Sequence, residues 1–443
     1  WRQLLLFFFP ILLGTFFQQL YNTIDSVIVG QFVGKEALAA VGGSSAQIVA
    51  FVVGFFTGLS SGASVTIAQF FGAKDSRSAN KGLHTAYAIA AFGGLILTVS
   101  GIILTPFLLE MMNTPADIVA DSAVYLRIYF AGIIFVLIYN MGSAILRATG
   151  DSKRPLYYLI VCCIINIVLD VLFVIVFHMG VMGVAVATLI AQAVSAVLVT
   201  LKLMRSEGIL KLSVKQIRFH GSILKMQLKL GLPTGFEAIL FSITNIAIQS
   251  AVNTFGTDTT AAWSAYGKLD AIFWMVSTAF GIAITTFVGQ NYGAGKMDRV
   301  RKSTRVCLLM DFIVSAVLVV FLIAARFLLF RLFTNDSHVI EIGCDMLVLI
   351  TPWYIVYVFI EVIAGALRGV GNVVVPVAIT LLGVCVLRIA WLAAMLKISP
   401  TISAIILSYP VTWVITALAF IIYYIYITHK TIAGSSKKHV PKL

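Results

Sequence analysis

The sequence predicts an all-α integral membrane protein with twelve transmembrane helices, arranged as two six-helix repeats related by a parallel pseudo-two-fold axis. Three observations predict this fold class. Of the 443 residues, 60% are hydrophobic and only 11% are charged, and the mean hydropathy is +1.01. Twelve apolar runs reach the length that a bilayer core requires, which is about 20 residues per helix. Motifs of the first half also recur in the second half at a constant spacing.

The composition excludes a soluble protein, because a chain with so few charged residues cannot cover itself with a hydrated surface. The apolar runs are too long and too uniform for the strands of a closed barrel, which alternate over about ten residues. The predicted spans lie near residues 4–32, 38–70, 83–105, 120–146, 155–178, 181–204, 228–255, 261–290, 304–326, 340–367, 374–396 and 401–428.

The net charge of +13 does not indicate nucleic-acid binding, because the basic residues fall between the apolar runs. With the N-terminus in the cytoplasm, 24 of the 31 lysines and arginines lie on the inner side. The outer side then holds only Lys35, Arg326, Arg331 and Lys397. This imbalance predicts a multi-pass protein of the plasma (inner) membrane with both termini in the cytoplasm.

Two repeated motifs divide the chain into halves. The motif L-R-x-x-G-x4-P occurs at 146–155 and again at 367–376, and Q-x-x-G-A occurs at 69–73 and again at 290–294. Both are shifted by 221 residues, with six spans between the copies, so the halves are parallel repeats. The predicted domains are an N-terminal lobe at 1–205, a basic linker at 206–227, a C-terminal lobe at 228–428 and a cytoplasmic tail at 429–443.

Glycine and proline explain the longer motif. The glycine ends a helix in a conformation that other residues resist, and the proline begins the next helix, where its missing N–H is not needed. Gly54, Gly58 and Gly62 form a row of small residues in the second span, which predicts close helix packing rather than a ligand site.

Polar residues inside the spans are the candidate functional residues, because a charge at the bilayer centre costs about 2.5–3.5 kcal/mol. In the first span, Gln18, Tyr21, Asn22 and Asp25 share one face at i, i+3, i+4 and i+7. Such a face must contact protein or a water-filled cavity rather than lipid.

The fourth, fifth and sixth spans add further polar residues, namely Tyr125, Asn140, Asn166, Asp170, Thr188 and Gln192. Two carboxylates, an amide and a hydroxyl form a site of oxygen ligands that suits a proton or a hard cation. The alternative is that Asn166 and Asp170 only join helices by hydrogen bonds.

The second half carries Glu237 in the seventh span, and Tyr357 with Glu361 on one face of the tenth. These residues either line a second cavity or pair internally as structural ions. For Lys268 and Asp270 in the eighth span we favour a structural pair, because opposite charges close in sequence can compensate each other.

The first-span pattern, the repeated motifs and Asn166-x-x-x-Asp170 together resemble the multidrug and toxic compound extrusion (MATE) transporters over nearly the whole chain. The resemblance implies two lobes that form a V, and the export of amphipathic, often cationic compounds driven by inward H⁺ or Na⁺. It implies a cation-coupling site, which would also hold the metal ion if Na⁺ is used, at Asp25, Asn166, Asp170 and Thr188.

The resemblance also assigns neighbouring positions. It places Gln18, Tyr21, Tyr125 and Asn140 in the cavity, makes Pro10 a hinge, and matches Glu237 and Glu361 to acids that other branches carry. Asn22, Gln192 and Tyr357 complete the predicted substrate cavity. We expect a monomer in the lipid bilayer with small-molecule substrates, no nucleic-acid partner and no cofactor besides the coupling ion.

Three alternatives remain open at this point. A flippase for lipids or lipid-linked oligosaccharides shares the superfamily architecture, but would need a more cationic cavity than Arg127, Lys268 and Arg388 provide. An enzyme would need a nucleophile or metal motif, and no HExxH, GxSxG or histidine cluster is present. A passive channel would not require a buried pair of acids.

Overall fold

The computed structural model describes residues 1–435, and these residues form helices and turns without a β-strand. The α-helices are α1 (Arg2–Phe32), α2 (Lys35–Gly42), α3 (Ser44–Gly72), α4 (Ser76–Met111), α5 (Val119–Ala148), α6 (Lys153–Asp170), α7 (Gly180–Met204), α8 (Gly221–Asn253), α9 (Thr257–Gly293), α10 (Met297–Arg331), α11 (Ser337–Ile350), α12 (Tyr354–Gly369), α13 (Val374–Thr380), α14 (Leu387–Ile398), α15 (Ile402–Ile406) and α16 (Ser408–Ser435). They supply twelve stretches long and apolar enough to cross a membrane, which confirms the predicted fold class.

Seven of the spans are single helices and five are composite. The fifth span continues from α6 into a π-helical turn at Val171–Val176, and the eleventh joins α13 to α14 through a π-helical turn at Leu381–Val386. Large apolar side chains such as Ile103, Phe107 and Leu328 remain exposed along the helices, as expected of surfaces that contact lipid. All five cysteines are buried, as small hydrophobic residues.

The chain forms two compact units. One contains Leu6–Ala238, and the other contains Trp1–Leu5 together with the chain from Ile239 onward. The predicted lobes were divided by a linker at 206–227, whereas in the structure that segment and the first part of α8 pack with the first unit. Residues 436–443 of the predicted tail lie outside the described part of the chain.

Hydrogen bonds to α4 explain why the linker belongs to the first unit. The Asn80 side chain donates to the carbonyls of Ile209 and Lys211, both at 3.1 Å. Nε2 of His84 accepts from the backbone N–H of Ser213 at 3.0 Å. Further along the chain, Gln227 donates to the carbonyl of Gly82 at 2.9 Å. The linker is therefore held at defined points along the N-terminal end of α4.

The glycine row of α3 packs against α8, as predicted. A Cβ atom on Gly58 would overlap the backbone of Gly235, and one on Gly62 would overlap the backbone of Gly231. A Cβ atom on Gly54 would lie 3.5 Å from that of Ala238. The two helices therefore approach each other backbone to backbone, which only glycine permits.

The repeated turns have the same geometry in both halves. Gly150 has φ +97° and donates its N–H to Arg147, while Gly371 has φ +87° and donates to Arg368, both at 2.9 Å. The next residue in each copy closes the same second hydrogen bond, at 3.0 Å. The positive φ explains the glycines, since other residues are strained there. Pro155 follows in the first turn of α6.

Candidate functional site

Three helices of the first unit bring the predicted coupling residues together. Asp25 lies on α1, Asn166 and Asp170 lie one turn apart on α6, and Thr188 lies on α7. Asp170 is the last residue before the π-helical turn of the fifth span. Such turns are common at functional sites, because they redirect the side chains beside them. We refer to these four residues as the acidic cluster.

Hydrogen bonds link the acidic cluster across the three helices. The Thr188 hydroxyl donates to Oδ2 of Asp25 at 3.4 Å, and the Asn166 amide donates to the Thr188 hydroxyl at 3.5 Å. The carboxyl groups of Asp25 and Asp170 are close enough to share a hydrogen bond when one is protonated. The cluster is thus one connected group, although its members come from distant parts of the sequence.

Several oxygens of the acidic cluster are buried without a hydrogen-bond partner. They are Oδ1 of Asp25, Oδ1 of Asn166 and both carboxylate oxygens of Asp170. Asp170 itself is 0% exposed. An unpaired buried carboxylate is strongly disfavoured, so such oxygens normally bind a cation or take up a proton. The set contains only oxygen donors, which suits H⁺ or Na⁺.

A second layer of polar residues surrounds the acidic cluster. The Gln192 amide donates to the Tyr21 hydroxyl at 3.2 Å, and both residues are buried. Tyr125 lies near Asp25 and Asp170, and its ring stacks on that of Tyr129 with centroids 6.2 Å apart. These contacts place Tyr21, Tyr125 and Gln192 beside the acidic cluster.

Other predicted cavity residues lie elsewhere in the first unit. Gln18 and Asn22 are exposed, whereas Tyr21 and Asp25 are buried. The predicted polar face of α1 therefore contains both exposed and buried side chains. Asn140 and Glu237 are half-buried. Pro10 lies within α1, which continues through it as one helix. The cavity and hinge roles of these residues stay predictions.

The acid of the tenth span is paired in the second unit. Glu361 accepts from Nη2 of Arg368 at 3.0 Å, an ion pair with both side chains mostly buried. Gly281 makes room for this carboxylate, because a Cβ atom at that position would overlap Oε1 of Glu361. The Tyr357 ring packs against the Trp274 ring, with centroids 4.8 Å apart.

The structural pair predicted for Lys268 and Asp270 is wrong. Lys268 is exposed, whereas Asp270 accepts hydrogen bonds from the hydroxyls of Tyr266 and Tyr354 and from the Trp274 indole. Residues two apart on a helix point to different sides, so this pair could not form.

The sequence prediction also omits Asp311, which is fully buried on α10 and receives one hydrogen bond, from Ser315 at 3.1 Å. A single acid in an apolar span was the signal that could have identified it.

Comparisons with known proteins agree with this description. The MatE family model matches residues 10–172 and 233–392. The probable multidrug resistance proteins YoeA and YpnP of Bacillus subtilis are each 30% identical to the chain, over 87% of it in both cases and over 84% and 86% of their own lengths. A MOP superfamily transporter from Pyrococcus furiosus shares the fold with a TM-score of 0.91, at 20% identity over 99% of this chain and 97% of that one.

Proposed function

The chain belongs to the MatE family of multidrug and toxic compound extrusion transporters, and on that premise we propose that it is a cation-coupled antiporter for amphipathic, often cationic compounds. It is a membrane transporter and not an enzyme. The relatives are named as multidrug resistance proteins, which supports small-molecule export. The observation that carries the coupling proposal is the set of buried oxygens without partners at Asp25, Asn166 and Asp170.

Ionisation of two neighbouring carboxyl groups provides the coupling. While Asp25 and Asp170 are charged, they attract a cationic substrate. When H⁺ or Na⁺ enters from outside, it satisfies the unpaired oxygens and neutralises the charge that held the substrate. Because Asp25 lies on α1, neutralisation changes the contacts of the same helix that contains Pro10, where one backbone hydrogen bond is already missing. Bending at this point is the proposed hinge of alternating access.

The available driving force is adequate for export. One monovalent cation moving through 100 mV supplies about 2.3 kcal/mol, and each unit of pH difference adds about 1.4 kcal/mol. The distribution of lysine and arginine supports cytoplasmic termini. In this orientation, both gradients drive a cation that enters from the outer side of the membrane.

Reconstituted transport tests the proposal. The purified protein is inserted into liposomes, and the movement of ethidium is measured with a pH gradient or a Na⁺ gradient imposed separately. We expect one gradient to drive transport, and Asp25→Asn and Asp170→Asn to reduce the rate by about tenfold or more. Asp345→Asn, which makes the same chemical change at an exposed position of α11, should leave the rate unchanged.

Two results would reject the proposal. One is a normal gradient-driven rate for the Asp25→Asn protein. The other is movement of a lipid-linked sugar without any movement of ethidium, which would favour the flippase alternative.

A further inference from the structure

The linker at 206–227 carries an excess of exposed positive charge. It contains four lysines and arginines and one acidic residue. The side chains of Lys211, Lys215, Arg218 and Lys225 are all exposed. Three ion pairs occur among the described residues, and each of them joins residues outside the linker. The positive charge of the linker therefore faces its surroundings rather than an acid of the protein.

The helix on which the linker packs is longer than the membrane core is thick. α4 has 36 residues, a length of about 54 Å, whereas the hydrocarbon core is about 30 Å thick. The large exposed apolar side chains of α4 begin at Phe92 and end at Met111, over about 30 Å of helix. Residues 82–90 are all buried. The surface of α4 that contacts lipid therefore begins at Phe92.

Phe219 of the linker lies at this boundary. Its ring packs edge to face against the ring of Phe92, with centroids 5.9 Å apart. The next residue, His220, donates its backbone N–H to the Thr85 hydroxyl of α4 at 3.3 Å, which fixes the position of Phe219 along the helix. Phe219 is nevertheless 46% exposed. An aromatic side chain of the linker is therefore uncovered where the lipid-facing surface of α4 begins.

Two basic residues lie close to Phe219 in the chain. Arg218 directly precedes it and donates from Nε to His220 at 3.4 Å, a contact that does not use the two terminal nitrogens of the guanidinium. Lys215 lies in a 3₁₀ turn at Val214–Gln216. Arginine and lysine are the side chains that most often bind phosphate groups. Apolar side chains beside exposed basic ones are typical of segments that lie in the membrane interface.

We propose that the linker is a binding site for an anionic phospholipid, with Phe219 in the edge of the hydrocarbon core and Arg218 and Lys215 on the phosphate of the headgroup. A lipid with a net negative charge is favoured over a zwitterionic one, because the cationic group of the latter offsets its phosphate. Free phosphate would use the basic residues but leave the exposed ring in water, so the two features together favour a lipid. This inference goes beyond the proposed function and does not depend on which compound is exported.

Lipid binding to the full-length protein in detergent tests the site. Native mass spectrometry measures the affinity for palmitoyl-oleoyl phosphatidylglycerol and for the matching phosphatidylcholine. We expect the anionic lipid to bind about tenfold more tightly, and the double variant Lys215→Gln/Arg218→Gln to lose most of this preference. Inorganic phosphate should not compete. The control is Arg299→Gln/Lys302→Gln, which removes two exposed charges at the start of α10 and should keep the preference within about twofold of the wild-type value.

Three results would overturn the proposal. One is equal binding of the two lipids by the wild-type protein. Another is an equal loss of preference in the two double variants, which would show that only the net charge of the protein matters. The third is competition by inorganic phosphate, which would assign the basic residues to a soluble anion.

A spin label at Phe219 tests its depth in the membrane independently. The five native cysteines are buried, so the label reacts with the cysteine introduced by Phe219→Cys, and the unsubstituted protein is the labelling control. In vesicles of phosphatidylglycerol and phosphatidylcholine, this label should be more accessible to oxygen, which concentrates in hydrocarbon, than to a water-soluble nickel chelate. A label on Glu207→Cys, at an exposed polar position of the linker, should show the reverse. Equal access of the nickel chelate to both labels would overturn the proposal.

Discussion

Thr188 donates its hydroxyl to Oδ2 of Asp25 at 3.4 Å, although the two residues are 163 positions apart in the sequence. The same hydroxyl oxygen accepts from Asn166 at 3.5 Å. Thr188 is therefore the residue through which α7 contacts the carboxylate of α1. A hydrogen bond of this kind contributes about 1.5–3 kcal/mol when one partner is charged.

Removing this hydroxyl should weaken coupling without abolishing it. For Thr188→Val we expect a decrease in gradient-driven ethidium efflux of about tenfold, because Asp25 loses the hydrogen bond from Thr188 but keeps its position. Thr188→Ser retains the hydroxyl and should keep most of the rate. Ser195→Ala on the same helix is the matched control, since that hydroxyl donates to the backbone carbonyl of Gln192 rather than to Asp25. Equal rates for Thr188→Val and wild type would contradict the role given to Thr188.

The glycine contact between α3 and α8 predicts a loss of stability on substitution. A side chain at Gly62 would overlap the backbone at Gln227 and Gly231, so the two helices must separate. We expect Gly62→Ala to destabilise the protein by about 1–3 kcal/mol, as overpacking does. Thermal unfolding in detergent measures this change. Gly221→Ala at the start of α8 has open space around it and should have no such effect.

The spans and the repeat could be predicted from the sequence because lipid imposes a simple rule on every span. The length and hydropathy of each apolar run identify a helix that crosses the bilayer, and the constant shift of 221 residues between motifs identifies the two repeats. The π-helical turns at Val171–Val176 and Leu381–Val386 could not be predicted in this way. A π-helical turn adds one residue to a helical turn and leaves hydropathy unchanged.

The candidate site was predicted only in part. Helical spacing identifies residues on one face of a helix, such as Tyr21 and Asp25, but not the helix that this face contacts. The contact between Thr188 and Asp25 depends on how α1 and α7 pack. The interpretation of Asp270 was wrong for a different reason. Two of its partners, Tyr266 and Trp274, lie four residues away on α9, at helical spacing, and only Tyr354 comes from another helix.

The ion pair of Glu361 and Arg368 predicts that substitution of Gly281, on the neighbouring α9, lowers the stability of the protein. A methyl group at Gly281 would overlap the Glu361 carboxylate and push it from Arg368. We expect Gly281→Ala to lower stability by about 1–3 kcal/mol, the penalty for disturbing a charged hydrogen bond that is largely buried. Gly267→Ala on the same helix meets no atom within 4 Å and is the control.

A double-mutant cycle separates this effect from simple crowding. When Glu361→Gln has already removed the ion pair, adding Gly281→Ala should lower the melting temperature by less than it does in the wild-type protein. Equal effects in both backgrounds would show that the methyl group acts on packing alone.

His220 predicts that the linker responds to pH. Its Nε2 accepts from Arg218 at 3.4 Å, and its Nδ1 lies 3.1 Å from the Thr85 hydroxyl. Burial, followed by the positive charges of Arg218 and Lys81 and by His84, lowers the pKa of His220. The neutral form is therefore favoured in the folded protein. The stability that it contributes is present above the unfolded pKa of about 6.5 and is lost as the pH falls through the lower folded value.

Hydrogen exchange measures this loss in the linker. After correction for the intrinsic exchange rate, we expect amides of the segment 213–220 to exchange faster at pH 5 than at pH 7.5. When Nε2 of His220 is protonated, it can no longer accept the hydrogen bond from Arg218. His220→Gln can accept from Arg218 and donate to Thr85 at any pH, so its corrected exchange should not change between the two values. A pH step of the same size in His220→Gln would contradict the role given to His220.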